Sequence, residues 1–378
     1  MNEWKTVRLG DYITEYSVKN KNCEDIPVYS VTNTQGFCTE YFSKDVSSKD
    51  KSNYKIVPRG YFAYNPSRIN VGSVDWQRYE DRVIVSPLYN VFGVSNELDN
   101  QYLYYFIKSD FGNHLIKSKA EGSVRDNLKL SMLSEFPIPM PPLAEQKHIA
   151  AILDKTQKII AEHKQMLQKY DTLIKSRFIE MFGDPHNNTK YTYKNVGDFT
   201  TVTSGGTPDR KNIEYWKNGN IPWVKTTELQ NNELTNVEEF ITQKGLDESS
   251  AKMMPIGTLL IAMYGQGKTR GMTAYLGIEA STNQACACIL PSKVINQKFL
   301  WYYFILSYDK LRDLAKGGNQ PNLNGNMIKD FPVLMPPIEM QNEYVSFVQQ
   351  IDKSKFAVQK SLEKTETLYK SLMQQYFG

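Results

Sequence analysis

Several short segments combine residue types at spacings that could do chemistry. Ala262-Met263-Tyr264-Gly265-Gln266-Gly267-Lys268-Thr269 departs from a phosphate-binding loop only at its first position, where Ala stands for Gly. Such a loop must open a helix, whose first amides hold the phosphates. The next residues are Arg270-Gly271-Met272-Thr273-Ala274-Tyr275, a glycine and then a strand-like run, so no nucleotide site is expected. The Pro141-Pro142 and Pro336-Pro337 pairs lack the Asn/Asp and the aromatic residue that an amino-methylating loop places around them; they read as helix breakers. Glu239 with Asp247-Glu248 lacks the arrangement of a nuclease and reads as solvated surface. Cys286 and Cys288 form a C-x-C pair with no histidine near in sequence, which fits two same-facing strand residues better than metal ligands. The four histidines (His114, His148, His163, His186) are scattered. No catalytic residue and no metal site is expected.

The elements around these segments are those of an ordinary globular chain. Its 378 residues suffice for two or three domains, and 40% hydrophobic with 23% charged residues exclude wholesale disorder. Lys and Arg number 45 against 41 Asp and Glu, for a net charge of +4. That balance neither demands nor forbids nucleic acid, so affinity for it must come from local clustering. No apolar run reaches the roughly 18 residues of a membrane span. The start, Met1-Asn2-Glu3-Trp4-Lys5, lacks the apolar core of a signal peptide, and a cytoplasmic location is expected.

The chain is a duplication. Phe136-Pro137-Ile138-Pro139-Met140-Pro141-Pro142-Leu143-Ala144-Glu145-Gln146 recurs as Phe331-Pro332-Val333-Leu334-Met335-Pro336-Pro337-Ile338-Glu339-Met340-Gln341. At the same offset Gly122 falls on Gly317, Asn127 on Asn322, Leu128 on Leu323 and Phe182-Gly183 on Phe377-Gly378. Each half begins with strand-like runs such as Arg82-Val83-Ile84-Val85 and Leu259-Leu260-Ile261-Ala262, followed by one aromatic helical stretch, Gln101 to Ser118 or Phe299 to Ala315. Each half ends in a heptad helix. In the first, Ile152/Leu153, Ile159/Ile160, Met166/Leu167 and Leu173/Ile174 recur every seventh residue, with Ile149, Thr156, His163 and Tyr170 between. Gly183 and Gly378 supply C-terminal stops. The predicted fold is α+β: two mixed α/β domains, residues 1–140 and 184–335, spaced by two long antiparallel coiled-coil helices, residues 141–183 and 336–378, with an internal pseudo-twofold.

Two similar but different heads suit a ligand with two similar but different half-sites, such as duplex DNA. The chain resembles the specificity subunits of type I restriction-modification systems over nearly its whole length. The carriers are the doubled Pro-Pro motifs, Ser204-Gly205-Gly206-Thr207-Pro208 leading to Tyr215-Trp216-Lys217-Asn218-Gly219-Asn220-Ile221-Pro222-Trp223, and Ser281-Thr282-Asn283-Gln284, matched in the first half by Val85-Ser86-Pro87-Leu88-Tyr89. Gly206-Thr207-Pro208 has no counterpart in the first half, where Tyr16-Ser17-Val18-Lys19 stands. The resemblance implies two target-recognition domains, each reading half of an asymmetric, interrupted sequence in double-stranded DNA. It implies helices that set the spacer and dock two adenine methyltransferase subunits, which restriction/translocase subunits then join. The chain itself would be non-catalytic and bind no cofactor; S-adenosylmethionine, ATP and Mg2+ are expected in the partner subunits.

On that reading the Gly-rich loops become DNA contacts. Asn65, Ser67, Arg68 and Asn70 lie between strand-like runs of the first head, and Tyr264, Gln266, Lys268, Thr269 and Arg270 between those of the second. Asn and Gln pair bidentately with adenine and Arg with guanine, whereas Lys and Ser/Thr more often hold the backbone. A second loop precedes each Pro-Pro motif and offers Arg125 in one head, Asn319 and Gln320 in the other. Ordinary turn chemistry accounts for the same Asn, Gly and Ser residues. Lys155, Lys158, Lys164, Lys169 and Lys175 read as a solvated helix face, with DNA backbone or protein docking as alternatives. Two other functions stay open here: a scaffold whose heads grip only proteins, and a cryptic nucleotide-dependent enzyme.

Overall fold

After Pro141-Pro142 the chain runs as one helix, Leu143–Phe182, and after Pro336-Pro337 as another, Ile338–Phe377. Proline cannot continue a helix backward, and neither segment contains an internal Gly or Pro to break it. The first helix stops where Gly183 turns left-handed at φ 81°. These features belong to a computed structural model, which describes residues 4–39, 50–120, 127–265, 267–315 and 322–378. The chain divides into two units: 1–165 with 359–378, and 166–358.

The heptad pattern sets which helix face is covered. Leu153 and Ile174 are buried and Ile160 and Leu167 half-buried, with Ile152 and Ile159 half-buried beside them. Met166 and Leu173 turn outward. The two helices run antiparallel within each unit. In the first, Gln157 donates to the Tyr369 hydroxyl at 2.8 Å and Lys164 pairs with Glu366 at 2.8 Å. In the second, Lys355 pairs with Asp171 at 2.6 Å and Arg177 with Glu343 at 2.9 Å.

The first unit carries a four-stranded antiparallel sheet in the order Ile13–Glu15, Asn90–Val94, Phe62–Tyr64, Val74–Trp76. The second repeats that order as Val202–Ser204, Cys286–Ile289, Leu259–Ala262, Thr273–Leu276 and adds a parallel strand, Asn232–Leu234. A two-stranded ribbon closes each unit beside its Pro-Pro motif: Thr6–Arg8 on Pro137–Pro139, and Tyr193–Asn195 on Pro332–Leu334. Cys286 and Cys288 sit on one strand and are fully buried in one apolar cluster, as their spacing predicts.

The aromatic stretches are each broken, not continuous. Asn100–Lys108 is followed by Asp110–Ala120, and Gln297–Leu306 by Tyr308–Asp313. The breaks fall at Ser109 and Ser307, whose hydroxyls donate to the carbonyls of Phe106 and Tyr303, each at 2.7 Å. A serine that bonds its own preceding turn competes with the helix ladder. These helices form the centre of each core. Phe377, at the end of one long helix, packs on Tyr102 and Phe106 in the first unit. Its counterpart Phe182 packs on Phe299 and Tyr344 in the second.

Candidate nucleic-acid interface

In the first head the loop of residues 65–73 leaves the central strand Phe62–Tyr64 and returns as Val74–Trp76. Its opening turn is tied by Asn65, whose Oδ1 accepts the Ser67 amide at 3.1 Å and the Ser67 hydroxyl at 2.9 Å. Gly72, at φ 94°, makes the left-handed step that brings the chain back. Ser67, Arg68 and Asn70 are exposed and Asn65 is half-buried. Lys108 donates from beneath to the Gly72 carbonyl, and burial lowers its pKa, so this cation supports the loop from inside.

Asn65, Ser67 and Arg68 line one groove of about 610 Å³. Its other walls come from segments that nothing in the sequence connects: Tyr29, Thr32 and Asn33, then Ser86, Leu88 and Tyr89. Burial raises the Tyr89 pKa, and its hydroxyl accepts the Val31 amide at 3.4 Å. Leu88 is 74% exposed and lends the groove an apolar wall beside its polar ones. Sequence reasoning misses these walls because no single segment holds more than a few of their residues.

In the second head the loop of residues 263–272 occupies the same place, between Leu259–Ala262 and Thr273–Leu276. Its described residues run from strand to strand and open no helix, so the phosphate-loop resemblance of its sequence has no structural counterpart among them. Gly265, Gly267 and Gly271 all have positive φ. The loop is held through its backbone: Tyr308 donates to the Lys268 carbonyl at 2.7 Å and Arg312 to the Arg270 carbonyl at 2.8 Å. Tyr264 and Lys268 are left exposed, while Thr269 and Arg270 are half-buried. Gln266, Arg125, Asn319 and Gln320 lie outside the described residues.

Glu239 is not the solvated residue that its sequence context suggests. Its carboxylate pairs with Arg210 and, at 2.9 Å, with Lys225, and the Arg210 guanidinium lies 3.8 Å from the Trp216 ring centre and 4.6 Å from that of Trp223. Burial alone would raise the Glu239 pKa; the two cations outweigh it and hold the carboxyl low. Asp247 and Glu248 are exposed, as expected.

Comparison with known proteins decides the family. The family model described as type I restriction modification DNA specificity domain matches twice, over residues 1–169 and 188–366. The chain belongs to this specificity family. A relative from Escherichia coli, the EcoR124I/EcoR124II specificity subunit, is 26% identical over 265 residues, covering 67% of this chain and 63% of its own length. The MjaIX specificity subunit of Methanocaldococcus jannaschii is 23% identical over 92% of this chain and 89% of its own. Among solved structures, the type I restriction-modification S subunit from M. genitalium shares the fold over 100% of this chain and 97% of its own, with a TM-score of 0.62 at 13% identity. A chain from a structure of type I complex assembly and conformational transition gives 0.60 at 17%, over 100% and 98%.

Specificity subunits are the DNA-recognition, non-catalytic components of type I systems, and the doubled match coincides with the doubled sheet order. No helix among the described residues is long and apolar enough to cross a membrane.

Proposed function

We propose that this specificity-family chain reads a bipartite, asymmetric DNA sequence, one half with each head. The observation that carries this reading is the equivalent placement of two chemically different loops. Asn65, Ser67, Arg68 and Asn70 follow the central strand of one sheet, and Tyr264, Lys268, Thr269 and Arg270 that of the other. Arg68 offers the fork that matches guanine and the exposed Asn70 the amide that matches adenine, with Asn65 tying the turn that presents them; Lys268 and Thr269 suit phosphate. Gln266, Arg125, Asn319 and Gln320 complete the proposed contact set.

The reading heads are residues 1–140 and 184–335, and the helices of residues 141–183 and 336–378 set the spacer and dock two adenine methyltransferase subunits. Restriction/translocase subunits join that core. S-adenosylmethionine, ATP and Mg2+ are bound by those partners, in the cytoplasm, and this chain supplies selection of the site. Exchange of residues 1–140 for another member's head tests the reading. One half-site changes and the other stays; a simultaneous change in both halves would overturn the modular account.

A further inference from the structure

The doubled Pro-Pro motif ends in a glutamine, Gln146 or Gln341, that looks like a solvent-facing residue in the first turn of an amphipathic helix. Both are instead buried, at 0% and 1% exposure. The Gln146 carboxamide accepts the backbone N–H of Asp99 at 2.8 Å and donates to the carbonyls of Pro141 at 2.9 Å and Glu97 at 3.0 Å. Gln341 makes the equivalent pair, accepting the N–H of Asn296 at 2.8 Å and donating to the Pro336 carbonyl at 2.8 Å.

Asp99 and Asn296 are the N-caps of the aromatic helices, their side chains accepting amides of the first turn. The N–H of an N-cap residue is commonly satisfied by a Glu or Gln three residues on. Here those positions are Tyr102 and Phe299, which cannot reach back. The glutamine of the long helix fills the role from outside, and one carboxamide thereby joins three strands of chain: the head's aromatic helix, the proline turn and the long helix.

A second bond lies further along the same pair of helices. The Tyr105 hydroxyl donates to Asp154 at 2.6 Å, and the Tyr302 hydroxyl to Asp352 at 2.5 Å. A single attachment permits a swivel; two attachments along one helix fix a direction. The close-packed aromatic core already resists rotation, and a buried carboxamide held by two or three partners adds to any turn away from this direction the cost of leaving a buried polar group unsatisfied.

We infer that Gln146 with the Tyr105–Asp154 pair, and Gln341 with the Tyr302–Asp352 pair, are positioning residues that set the direction of each head on its long helix and thereby the tolerated spacer length between half-sites. This rests on the two-headed DNA-reading function proposed above. Gln146 and Gln341 contact no DNA; their substitution changes spacing, not the bases read.

The test maps methylated adenines in hosts whose full restriction-modification complex carries the wild-type chain, Gln146→Met, Gln341→Met or Tyr105→Phe. Methionine keeps the volume and removes the hydrogen bonds, and Phe removes one hydroxyl. The expected result is unchanged half-sites with methylation at spacers one base pair longer or shorter raised on the order of tenfold. Unaltered spacer selectivity at full methylation would overturn the inference, as would a proportionate loss at every site by a soluble complex, the mark of a merely structural role. If the glutamine variants do not accumulate as soluble protein, Tyr105→Phe decides by the same criteria. A wild-type host with active partners that yields no bipartite motif removes the DNA-reading function itself, a result distinct from any variant's.

Discussion

The backbone N–H of Leu323 donates to the carbonyl of Met263 across 3.0 Å. Leu128 does the same to Pro66 at 3.1 Å in the first unit. In each head, then, the segment preceding the Pro-Pro motif is pinned to the loop that follows the central strand. Two stretches far apart in sequence are thereby held at one surface. Both leucines are buried, so Leu128→Ala or Leu323→Ala removes a core side chain at a cost of about 2–5 kcal/mol. Thermal unfolding should show that loss. Methylation in vivo at reduced temperature, where the variants remain folded, should show weakened recognition at one half-site only.

Arg68 and Lys268 are both exposed on their loops, yet their substitutions should differ in kind. A bidentate arginine–guanine contact is worth about 1–3 kcal/mol of discrimination, so Arg68→Ala relaxes one position of one half-site. Lys268→Ala weakens binding to all sequences alike and lowers the salt slope of log K by about one. Titration of the assembled complex against matched and mismatched duplexes at several salt concentrations separates the two. A Lys268→Ala variant with altered base preference would contradict the assignment of that residue to phosphate.

Much of this architecture is legible before any coordinates. The offset that carries Pro141 to Pro336 reveals the duplication, and the recurrence of Leu153, Ile160, Leu167 and Ile174 reveals the seam. Cys286 and Cys288 are readable as strand residues because alternate positions share a face. What escapes are relations that only tertiary structure creates. Gln146 is visible only as the end of a repeated motif, and nothing in its own helix says that Asp99 will meet it. Glu239 looks solvated because Arg210 and Lys225 come from separate segments. Ser109 and Ser307 break the aromatic helices through a hydroxyl that could equally have faced water. The groove beside Arg68 needs Thr32 and Ser86, which no local pattern ties to it.

Thiol chemistry checks the sheet of the second unit. Cys286 and Cys288 are fully buried; burial pushes the Cys286 thiol well up and that of Cys288 up to about 11. Both should resist alkylation in the folded chain and react only on unfolding. Cys23 is exposed and should react first. Mass spectrometry after a short pulse of iodoacetamide reads the order directly. Fast labelling of Cys288 in folded protein would contradict its place in the central sheet.

The second unit should also weaken in mild acid. Burial lowers the His186 pKa, and Lys310 lowers it further against the opposing pull of Asp184. A histidine depressed in the folded state binds fewer protons there than when unfolded, so stability is present above the unfolded value of about 6.5 and lost as pH falls through it. The unfolding midpoint of this unit should therefore drop between about pH 7.5 and about pH 5.5, and His186→Asn should flatten that drop. An identical pH profile in the variant would assign the acid sensitivity to other groups.

The central claim is that this chain selects DNA sites with two different heads. Single-molecule mapping of adenine methylation tests it most directly, in a host with active partner subunits and with the gene intact or deleted. The expected result is one interrupted, asymmetric motif that is methylated in the first host and bare in the second. An unchanged methylation pattern after deletion would contradict the claim.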